Sequence, residues 1–280
     1  MPSKSAKALS TAALVISSAF ATAACGTEDN GAASPSSSAP VVQAGQLTVC
    51  ISKNAYPPLY WNEGGKLQGF EVDSLEKIAG ELDLKLVFTE VAFDGLLPGL
   101  AAGRCDIMRS GLYINEERTA TFDAIPYLMT GPALIVPPGN PKGIETVEDL
   151  AGLRVAAQGA SANETKIKEV SDQLAEAGLE PVEISVYPEM PETIAALQNG
   201  RVDGTIETDV AAVQAAQTLG EGWLALDELF DAGTEFGMYF AKDSALLPQV
   251  REAARKLTEE GVFGEIAVKH GLNPDRVVMP

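Results

Sequence analysis

Short apolar runs alternate with amphipathic stretches along most of this chain, and small or polar residues separate them. In the first half, the apolar runs at 47–51, 85–89 and 107–108 have the length of buried strands, whereas 74–82 and 96–102 carry the apolar spacing of helices. A strand–helix–strand order of this kind predicts parallel strand pairing with right-handed crossovers. The pattern therefore indicates an α/β unit.

The second half repeats the alternation, with strands at 153–157, 182–186 and 202–206 and helices at 161–177 and 191–198. Extended runs at 133–137 and 235–241 connect the two halves, and the turn at 139–143 predicts a crossover between them. Two final helices, at 248–260 and 263–269, have a pattern suited to packing on the first unit.

Two α/β units joined by two extended segments predict a hinged clamp. We assign residues 46–135 plus 238–280 to domain 1 and residues 136–237 to domain 2. Ligands prefer the cleft between domains, and closure on the ligand is the expected motion.

Within the segment 105–118, a buried strand is expected to end and a loop to begin. The apolar pair Ile107 and Met108 gives way to polar and small residues, as at the carboxyl end of a buried strand. In open α/β sheets this edge binds small ligands.

Arg118, at the end of that segment, offers a planar fork of donors that matches a carboxylate. Ser110 and the backbone around Gly111 supply further donors. A second interpretation is a surface arginine paired with Glu116 or Glu117. The context of the whole chain favours the first.

Two strand ends of the second unit carry polar groups as well. Residues 161–164, Ser-Ala-Asn-Glu, have the form of a capping box that begins a helix directly after a strand. A helix N-terminus in this place binds anions through its free N–H groups. Glu207, Thr208 and Asp209 follow the strand at 202–206.

Charge narrows the range of ligands. The 280 residues include 39 acidic and 20 basic side chains, which gives a net charge of −19. Nucleic-acid binding is excluded, because phosphate binding requires a basic face. Because the protein as a whole is strongly negative, an anionic ligand needs a local positive site. Individual arginines are therefore candidates for ligand binding.

Residues 1–25 are predicted to be an export signal rather than part of the fold. Lys4 and Lys7 precede a short apolar segment, and small residues lead to Cys25. The segment is too short and too alanine-rich for a membrane span. Residues 26–45 are rich in Ser, Ala, Gly and Pro, which predicts a flexible linker.

The sequence Thr-Ala-Ala-Cys at 22–25 resembles the lipobox of bacterial lipoproteins, in which the cysteine carries the lipid. Thr22 stands where Leu, Val or Ile is usual. Lipidation of Cys25 would hold the protein on the outer face of the cell membrane. The alternative is cleavage after an Ala-x-Ala site at 21–23.

The other two cysteines, Cys50 and Cys105, are expected to form a disulfide if their strands are neighbours, because an exported protein meets an oxidising setting. Two buried free thiols are the alternative. No Cys-x-x-Cys or His/Cys cluster occurs, and His270, the one histidine, lies near a helix end. We therefore predict no metal site and no cofactor.

Eight motifs, each weak alone, occur in a characteristic order and spacing: YPP at 56–58, GFEVD at 69–73, FDGLLPGL at 93–100, GRCDI at 103–107, INEER at 114–118, VEDLAG at 147–152, AALQNGRVD at 195–203 and GVF at 261–263. Together they resemble the family 3 extracellular solute-binding proteins of ABC importers, which carry polar amino acids and their relatives. The resemblance covers about residues 46–275. It implies a two-domain periplasmic-binding-protein clamp of type II with two hinge crossovers.

The resemblance also implies roles for single residues. Arg118 matches the arginine that clamps the ligand α-carboxylate, and Ser110 and the Gly111 backbone match its helpers. Tyr56 and Phe93 match walls of the side-chain pocket, although either ring also suits plain core packing.

The second domain provides the remaining implied contacts. Ser161 and Asn163 match its anion-binding loop, with a plain helix cap as the alternative. The family usually has an acid at the position of Thr208, where it holds the ligand amino group. Here Glu207 and Asp209 flank that position, which leaves recognition of an amino group open.

Two further positions depart from the family pattern. Tyr113 replaces the usual Ser or Thr among the expected ligand contacts. Arg109 stands where an apolar residue is usual. It predicts either a second positive site for a ligand with another acidic group or a structural pair with a nearby carboxylate, and we favour the structural pair.

The expected function is that of a monomeric receptor, not an enzyme, that binds an amino acid or related small carboxylate and delivers it to an ABC permease in the membrane. An enzyme on the same scaffold, such as a dehydratase of cyclic carboxylates, is one alternative, with Glu207 or Asp209 as the acid. A ligand sensor is the other.

Overall fold

The computed structural model describes residues 39–230 and 233–280. The predicted export signal, Cys25 and the linker up to residue 38 lie outside the described residues. Within the described part of the chain, no helix is both long and apolar enough to cross a membrane.

The strands are β1 (Gln46–Ser52), β2 (Trp61–Glu63), β3 (Lys66–Gln68), β4 (Lys85–Val91), β5 (Ile107–Met108), β6 (Phe122–Thr130), β7 (Pro132–Val136), β8 (Arg154–Gln158), β9 (Glu183–Tyr187), β10 (Gly204–Thr208), β11 (Leu224–Leu226) and β12 (Thr234–Ala241). The α-helices are α1 (Phe70–Glu81), α2 (Leu96–Ala101), α3 (Glu116–Thr121), α4 (Ala162–Glu176), α5 (Met190–Gln198), α6 (Asp209–Leu219), α7 (Leu247–Glu259) and α8 (Val262–Lys269). Short 3-10 helices occupy Phe93–Gly95, Val147–Leu150 and Pro274–Arg276.

The first sheet has the strand order β4-β1-β5-β12-β6. β1 pairs in parallel with β4 and β5, which confirms the parallel pairing predicted from the alternation of strands and helices. β12 runs antiparallel to β5 and β6. Helices α1, α7 and α8 pack together on this first lobe. In α7 the buried residues Val250, Ala253, Ala254 and Leu257 follow the spacing of one helical face.

The second sheet has the order β11-β7-β10-β8-β9 and forms the second lobe. β8 pairs in parallel with β9 and β10, whereas β7 runs antiparallel to β10. Each lobe has its own apolar core. Leu47, Ile78 and Phe240 belong to the first, and Leu134 and Ile206 belong to the second.

The chain passes from the first sheet to the second at Gly131, between β6 and β7. The turn at 139–143, where the sequence predicted this crossover, follows β7 and lies within the second lobe. Asn140 closes it through side-chain hydrogen bonds with Ile144. The chain returns to the first sheet between β11 and β12. The domain boundaries at 135 and 238 stay predictions, and the sheets themselves change a few residues earlier.

The fold also begins before residue 46. Val41 packs against the core of the first lobe, and the amide of Val42 donates to Oδ1 of Asp106 at 2.6 Å. The last residues of the predicted linker are therefore attached to the first lobe.

A disulfide joins Cys50 of β1 to Cys105, with 5.6 Å between the two Cα atoms. Val49 and Cys50 pair with Ile107 and Met108 of β5, so Cys50 lies in a strand next to β5, and Cys105 lies two residues before β5. The disulfide prediction is confirmed.

Candidate functional site

A cavity lies between the two lobes, at the carboxyl ends of β1, β5, β8 and β10. The structure brings all ten sequence-predicted ligand contacts into its wall, namely Tyr56, Phe93, Ser110, Gly111, Tyr113, Arg118, Ser161, Asn163, Glu207 and Thr208. These residues come from separate segments of the chain, so folding alone gathers them.

Arg118 lies in α3 with only 9% of its surface exposed. Asn115 caps this helix and accepts from the Arg118 amide at 2.9 Å. Nη1 of Arg118 donates to the carbonyl oxygen of Tyr113 at 2.8 Å, which fixes the guanidinium at the cavity wall. Among the described residues Arg118 forms no ion pair, so the alternative of a surface pair with Glu116 or Glu117 is wrong.

Ser110 is buried, and its Oγ accepts from the amide of Ser52 at 3.0 Å. Its hydroxyl also lies 2.8 Å from the hydroxyl of Tyr60. The Gly111 amide donates inward to Oε1 of Glu71 at 3.0 Å. The prediction that the backbone amide of Gly111 serves as a ligand donor is therefore not supported, because a buried carboxylate already holds it.

Gly111 has a different role, since it lets a ring approach. Its φ is +61°, and a Cβ there would lie 2.8 Å from Cε1 of Tyr56. The Tyr56 hydroxyl reaches the second lobe, 2.7 Å from Oγ1 of Thr208. Burial and the nearby Glu207 raise the pKa of Tyr56 well above its ordinary value. Phe93 lines the cavity and also packs against the apolar cluster around the disulfide.

Ser161 is mainly a helix cap. Its Oγ accepts from the amide of Glu164 at 3.1 Å and donates to the carbonyl of Gln158 at 2.6 Å. Glu164 in turn accepts from the Ala160 amide. The hydroxyl of Ser161 is thus committed to α4, whereas Oδ1 of the neighbouring Asn163 is buried without a hydrogen-bond partner in the described chain.

Glu207 lies near the end of β10 and is only 3% exposed. Its Oε2 lies 3.5 Å from the Tyr56 hydroxyl, and its Oε1 has no partner among the described residues. Burial raises the pKa of the Glu207 carboxyl to about 7. Thr208 caps α6 by accepting from the amide of Ala211 at 3.3 Å.

Asp209, the other acid beside Thr208, points to the hinge. It accepts from Oγ1 of Thr130 at 2.7 Å and from Nη1 of Arg276 at 2.6 Å. It does not line the cavity. Of the two acids that flank Thr208, the structure therefore places Glu207 alone in the cavity wall.

Tyr113 stacks on Phe236, with 5.6 Å between the ring centroids. Its hydroxyl is buried and forms no hydrogen bond of standard geometry in the part of the chain that the structure describes, although Thr130 and Asn163 lie close enough to lower its pKa. Burial, Asp209 and Glu207 raise the pKa of Tyr113 well above its ordinary value. The cavity thus contains three buried polar atoms with unused acceptor capacity, on Tyr113, Asn163 and Glu207.

Arg109 is fully buried in the first lobe and does not line the cavity. Its guanidinium carbon lies 4.0 Å from the ring centroid of Tyr127. Burial lowers the pKa of Arg109, and the nearby Tyr127 and Glu71 oppose that shift. A second positive site for ligand at Arg109 is therefore wrong. The favoured structural pair with a carboxylate is not formed either, because none of the three guanidinium nitrogens has a hydrogen-bond or ion-pair partner among the described residues. Glu71 acts on Arg109 only through its charge, and the guanidinium packs against the rings of Tyr127 and Phe70.

The motifs did not identify every residue of the cavity wall. Gln158, Tyr60 and Met190 also line it. Gln158 is the last residue of β8, and its position at a strand end was the available signal. Within the described residues, no group of three His, Cys, Asp or Glu side chains has the arrangement of a metal site.

The chain matches known proteins over most of its length. The model for bacterial extracellular solute-binding proteins, family 3, matches residues 47–273. The L-cystine-binding protein TcyJ of Escherichia coli (strain K12) is 25% identical, over 82% of this chain and 84% of that protein. The arginine-binding protein ArgT of Corynebacterium glutamicum is 29% identical, over 83% and 76%.

Solved structures agree with these relatives. An ancestral arginine-binding protein bound to arginine has a TM-score of 0.72 and 31% identity, over 81% of this chain and 98% of that one. An ancestral amino acid-binding protein, a precursor of cyclohexadienyl dehydratase, has a TM-score of 0.71 and 25% identity, over 81% and 95%. The predicted two-lobed clamp of type II is confirmed.

Proposed function

This chain belongs to the bacterial extracellular solute-binding proteins of family 3, and we propose that its cavity binds one amino acid, with Arg118 at the carboxylate and Glu207 at the ammonium group. The observation that carries this proposal is the pairing of opposite charges in one cavity. Arg118 and Glu207 both line it, and neither has an ion-pair partner among the described residues.

Arg118 is suited to a carboxylate because its guanidinium is buried and positioned. The bond from Nη1 to the Tyr113 carbonyl holds one edge of the fork, and a planar fork matches the two oxygens of a carboxylate. A buried guanidinium gains more from a charged partner than an exposed one does, because water screens it less.

The corner formed by Glu207, Tyr113 and Asn163 is suited to an ammonium group. All three side chains are at least nine-tenths buried, and each has an atom without a hydrogen-bond partner in the described chain. An ammonium group supplies three donors and one positive charge. Glu207 would thus replace the acid that the family usually has at position 208.

The named ligands of the relatives support this division of roles. Cystine and arginine, the ligands in the names of the two relatives above, differ in their side chains, but they share the carboxylate and the ammonium group on the α-carbon. A micromolar complex requires about −8.2 kcal/mol, and one charge-assisted hydrogen bond contributes about 1.5–3 kcal/mol. The rings of Tyr56, Tyr60 and Phe93 and the closure of the second lobe would supply much of the rest.

Delivery and location complete the proposal. We place the receptor outside the cell, held at the membrane by a lipid on Cys25, where it passes its solute as a monomer to an ABC permease. Replacement of Cys25 by Ser should release the protein into the soluble exported fraction. Retention of this variant in the membrane fraction would contradict the anchor.

A thermal-shift screen of the exported protein carrying Cys25→Ser tests the ligand class. Each amino acid is paired with its α-hydroxy acid, which lacks the ammonium group, and with its amine, which lacks the carboxylate. An amino acid at about 100 times its dissociation constant should stabilise the fold by about 2.7 kcal/mol, which raises Tm by about 5–10 °C. Equal shifts with the hydroxy acid would overturn the role of Glu207, and no shift with any amino acid would overturn the function.

Catalysis is the second candidate function, because one similar structure is named as the precursor of a dehydratase and Glu207 has a pKa of about 7. The relatives above are named as binding proteins. Mass spectrometry of the ligand recovered after long incubation separates the two functions, since a receptor returns it unchanged.

A further inference from the structure

Glu189 of the second lobe reaches the first lobe across the rim of the cavity. Its Oε2 accepts from Nδ2 of Asn54 at 2.5 Å, and its Oε1 lies 3.2 Å from Nζ of Lys53. Lys53 and Asn54 directly follow β1, whereas Glu189 directly precedes α5. One carboxylate therefore engages two consecutive residues of the opposite lobe.

These contacts lie outside the cavity itself. Asn54 lines its edge, but neither Lys53 nor Glu189 is part of its wall. The side chain of Lys53 is 52% exposed and that of Glu189 is 16% exposed. Glu192 accepts from the Glu189 amide at 3.2 Å and so helps to orient this residue. The Lys53–Glu189 pair itself therefore touches no solute directly, and Glu189 reaches the cavity wall only at Asn54.

The strand order places this contact far from the hinge. β9, which leads to Glu189, is three strands away from the crossover strand β7, or about 14 Å at the usual strand spacing. A rigid-body rotation of about 15° about the crossover would move Glu189 by about 4 Å. The two hydrogen-bonding contacts of its carboxylate cannot survive such a displacement.

The polar contacts at the hinge behave differently. The Asp209 amide donates to the carbonyl of Gly131 at 2.8 Å, and its carboxylate accepts from Thr130 at 2.7 Å. Thr130 and Gly131 form the crossover, so these bonds lie close to the rotation axis. Glu189 is thus sensitive to opening in a way that Asp209 is not.

We infer that Glu189 is a latch that stabilises the closed clamp from outside the cavity and thereby sets the dwell time of the solute. The inference rests on the proposed function, because it assigns a second determinant of affinity to the same site. The latch forms only when the lobes close, so it contributes to the closed complex and not to the open form. Its loss removes no residue of the cavity wall but raises the rate of opening.

Two measurements on the exported Cys25→Ser protein test the latch. The first is stopped-flow dissociation of the amino acid found in the screen, for the wild-type side chain and for Glu189→Gln. We expect dissociation to be about three- to tenfold faster in the variant, with association nearly unchanged. The second needs no ligand: the distance between spin labels at Lys77→Cys in α1 and Gln173→Cys in α4 should shift toward more open forms.

Three control variants separate the latch from general effects. Glu176→Gln removes the same charge from an exposed position in the second lobe and should leave both measurements unchanged. The charge swap Lys53→Glu with Glu189→Lys should recover slow dissociation, whereas Lys53→Glu alone should accelerate it through repulsion. In about 1 M salt, where the Debye length is about 3 Å, the wild type should approach the variant.

The possible results distinguish failure of the latch from failure of the proposed function. A wild type that binds an amino acid while Glu189→Gln shows the same dissociation rate and the same label distances would overturn the latch and leave the proposed function intact. A wild type that binds no amino acid would overturn the proposed function, and the label distances would still decide whether Glu189 holds the lobes together. Failure of the charge swap to slow dissociation would also count against the latch.

Discussion

The hydroxyl oxygen of Tyr56 lies 2.7 Å from Oγ1 of Thr208, and this contact joins the two lobes within the cavity wall. The ring of Tyr56 rests against the backbone of Gly111, where a Cβ would come within 2.8 Å of it. Thr208 ends β10 and caps α6. One tyrosine therefore connects the loop after β5 with the helix that begins at the end of β10.

Replacement of Tyr56 by Phe should weaken solute binding by about three- to tenfold. The variant keeps the ring against Gly111 but loses the contacts of the hydroxyl with Thr208 and, at 3.5 Å, with Glu207. The shorter of the two contributes about 0.5–1.5 kcal/mol. Isothermal titration with the ligand from the screen measures the change. Tyr187→Phe, in β9 and outside the cavity wall, is the matched control. Unchanged affinity in Tyr56→Phe would show that the contact with Thr208 does not support closure.

Arg118→Ala should reduce affinity by tenfold or more, because it removes the proposed carboxylate partner. Arg118→Lys should recover only part of the loss, since a lysine keeps the charge but not the planar fork. The exposed Arg104 provides a control for net charge, and Arg104→Ala should bind like the wild type. Equal affinities of Arg118→Ala and the wild type in a titration would remove Arg118 from the site.

Glu207 should make binding depend on pH. Its pKa of about 7 in the free protein means that the carboxyl is largely protonated at pH 5 and largely ionised at pH 8. An ammonium group requires the ionised form, so affinity should rise with pH, by up to about tenfold per pH unit below the pKa. Titrations at pH 5, 6, 7 and 8 test this slope, and Glu207→Gln should bind more weakly with little dependence on pH.

In the absence of ligand, the Glu207 carboxyl should make the folded protein less stable as the pH rises, whereas it should make ligand binding stronger. Its folded pKa of about 7 exceeds the ordinary value of 4.5, so the folded state holds the proton more tightly than the unfolded state does. The stability contributed by the protonated form is fully present below about pH 4.5 and is lost as pH rises through 7, a change of about 3 kcal/mol. Urea unfolding at several pH values should show this trend in the free protein and lose most of it in Glu207→Gln.

Local patterns were sufficient for much of the site. Arg118, Asn163 and Glu207 each lie at the end of a strand or the start of a helix, where an apolar run gives way to polar residues. That signal lies within a few neighbouring positions. The family motifs then related these separate segments to one another, so the ten residues could be predicted as one set. All ten line one cavity.

Long-range contacts explain what the patterns missed. The Gly111 amide is occupied by Glu71, forty positions earlier, and no local feature of either residue announces this bond. The crossover at Gly131 separates two apolar strands, and periodicity does not reveal which sheet each strand joins. Glu189 is an ordinary polar residue before a helix, and its contact with Lys53, 136 positions earlier and in the other lobe, leaves no local signal in the sequence.

Arg109 and Glu71 should prove energetically coupled. Both are fully buried, and Glu71 accepts from the Tyr127 hydroxyl while Arg109 lies over the Tyr127 ring. Arg109→Met or Glu71→Gln alone leaves one uncompensated buried charge, which should lower the free energy of unfolding by about 3–5 kcal/mol.

The double variant should recover most of that loss, because removal of both buried charges together leaves neither charge uncompensated. The amide side chain introduced by Glu71→Gln also retains an oxygen that can accept from the Gly111 amide, so solute affinity in the double variant should stay close to that of the wild type. Urea unfolding of all four proteins at pH 7 gives the coupling energy directly. Losses that simply add in the double variant would mean that the two charges do not compensate each other, and Arg109 would then be stabilised by the rings of Tyr127 and Phe70 alone.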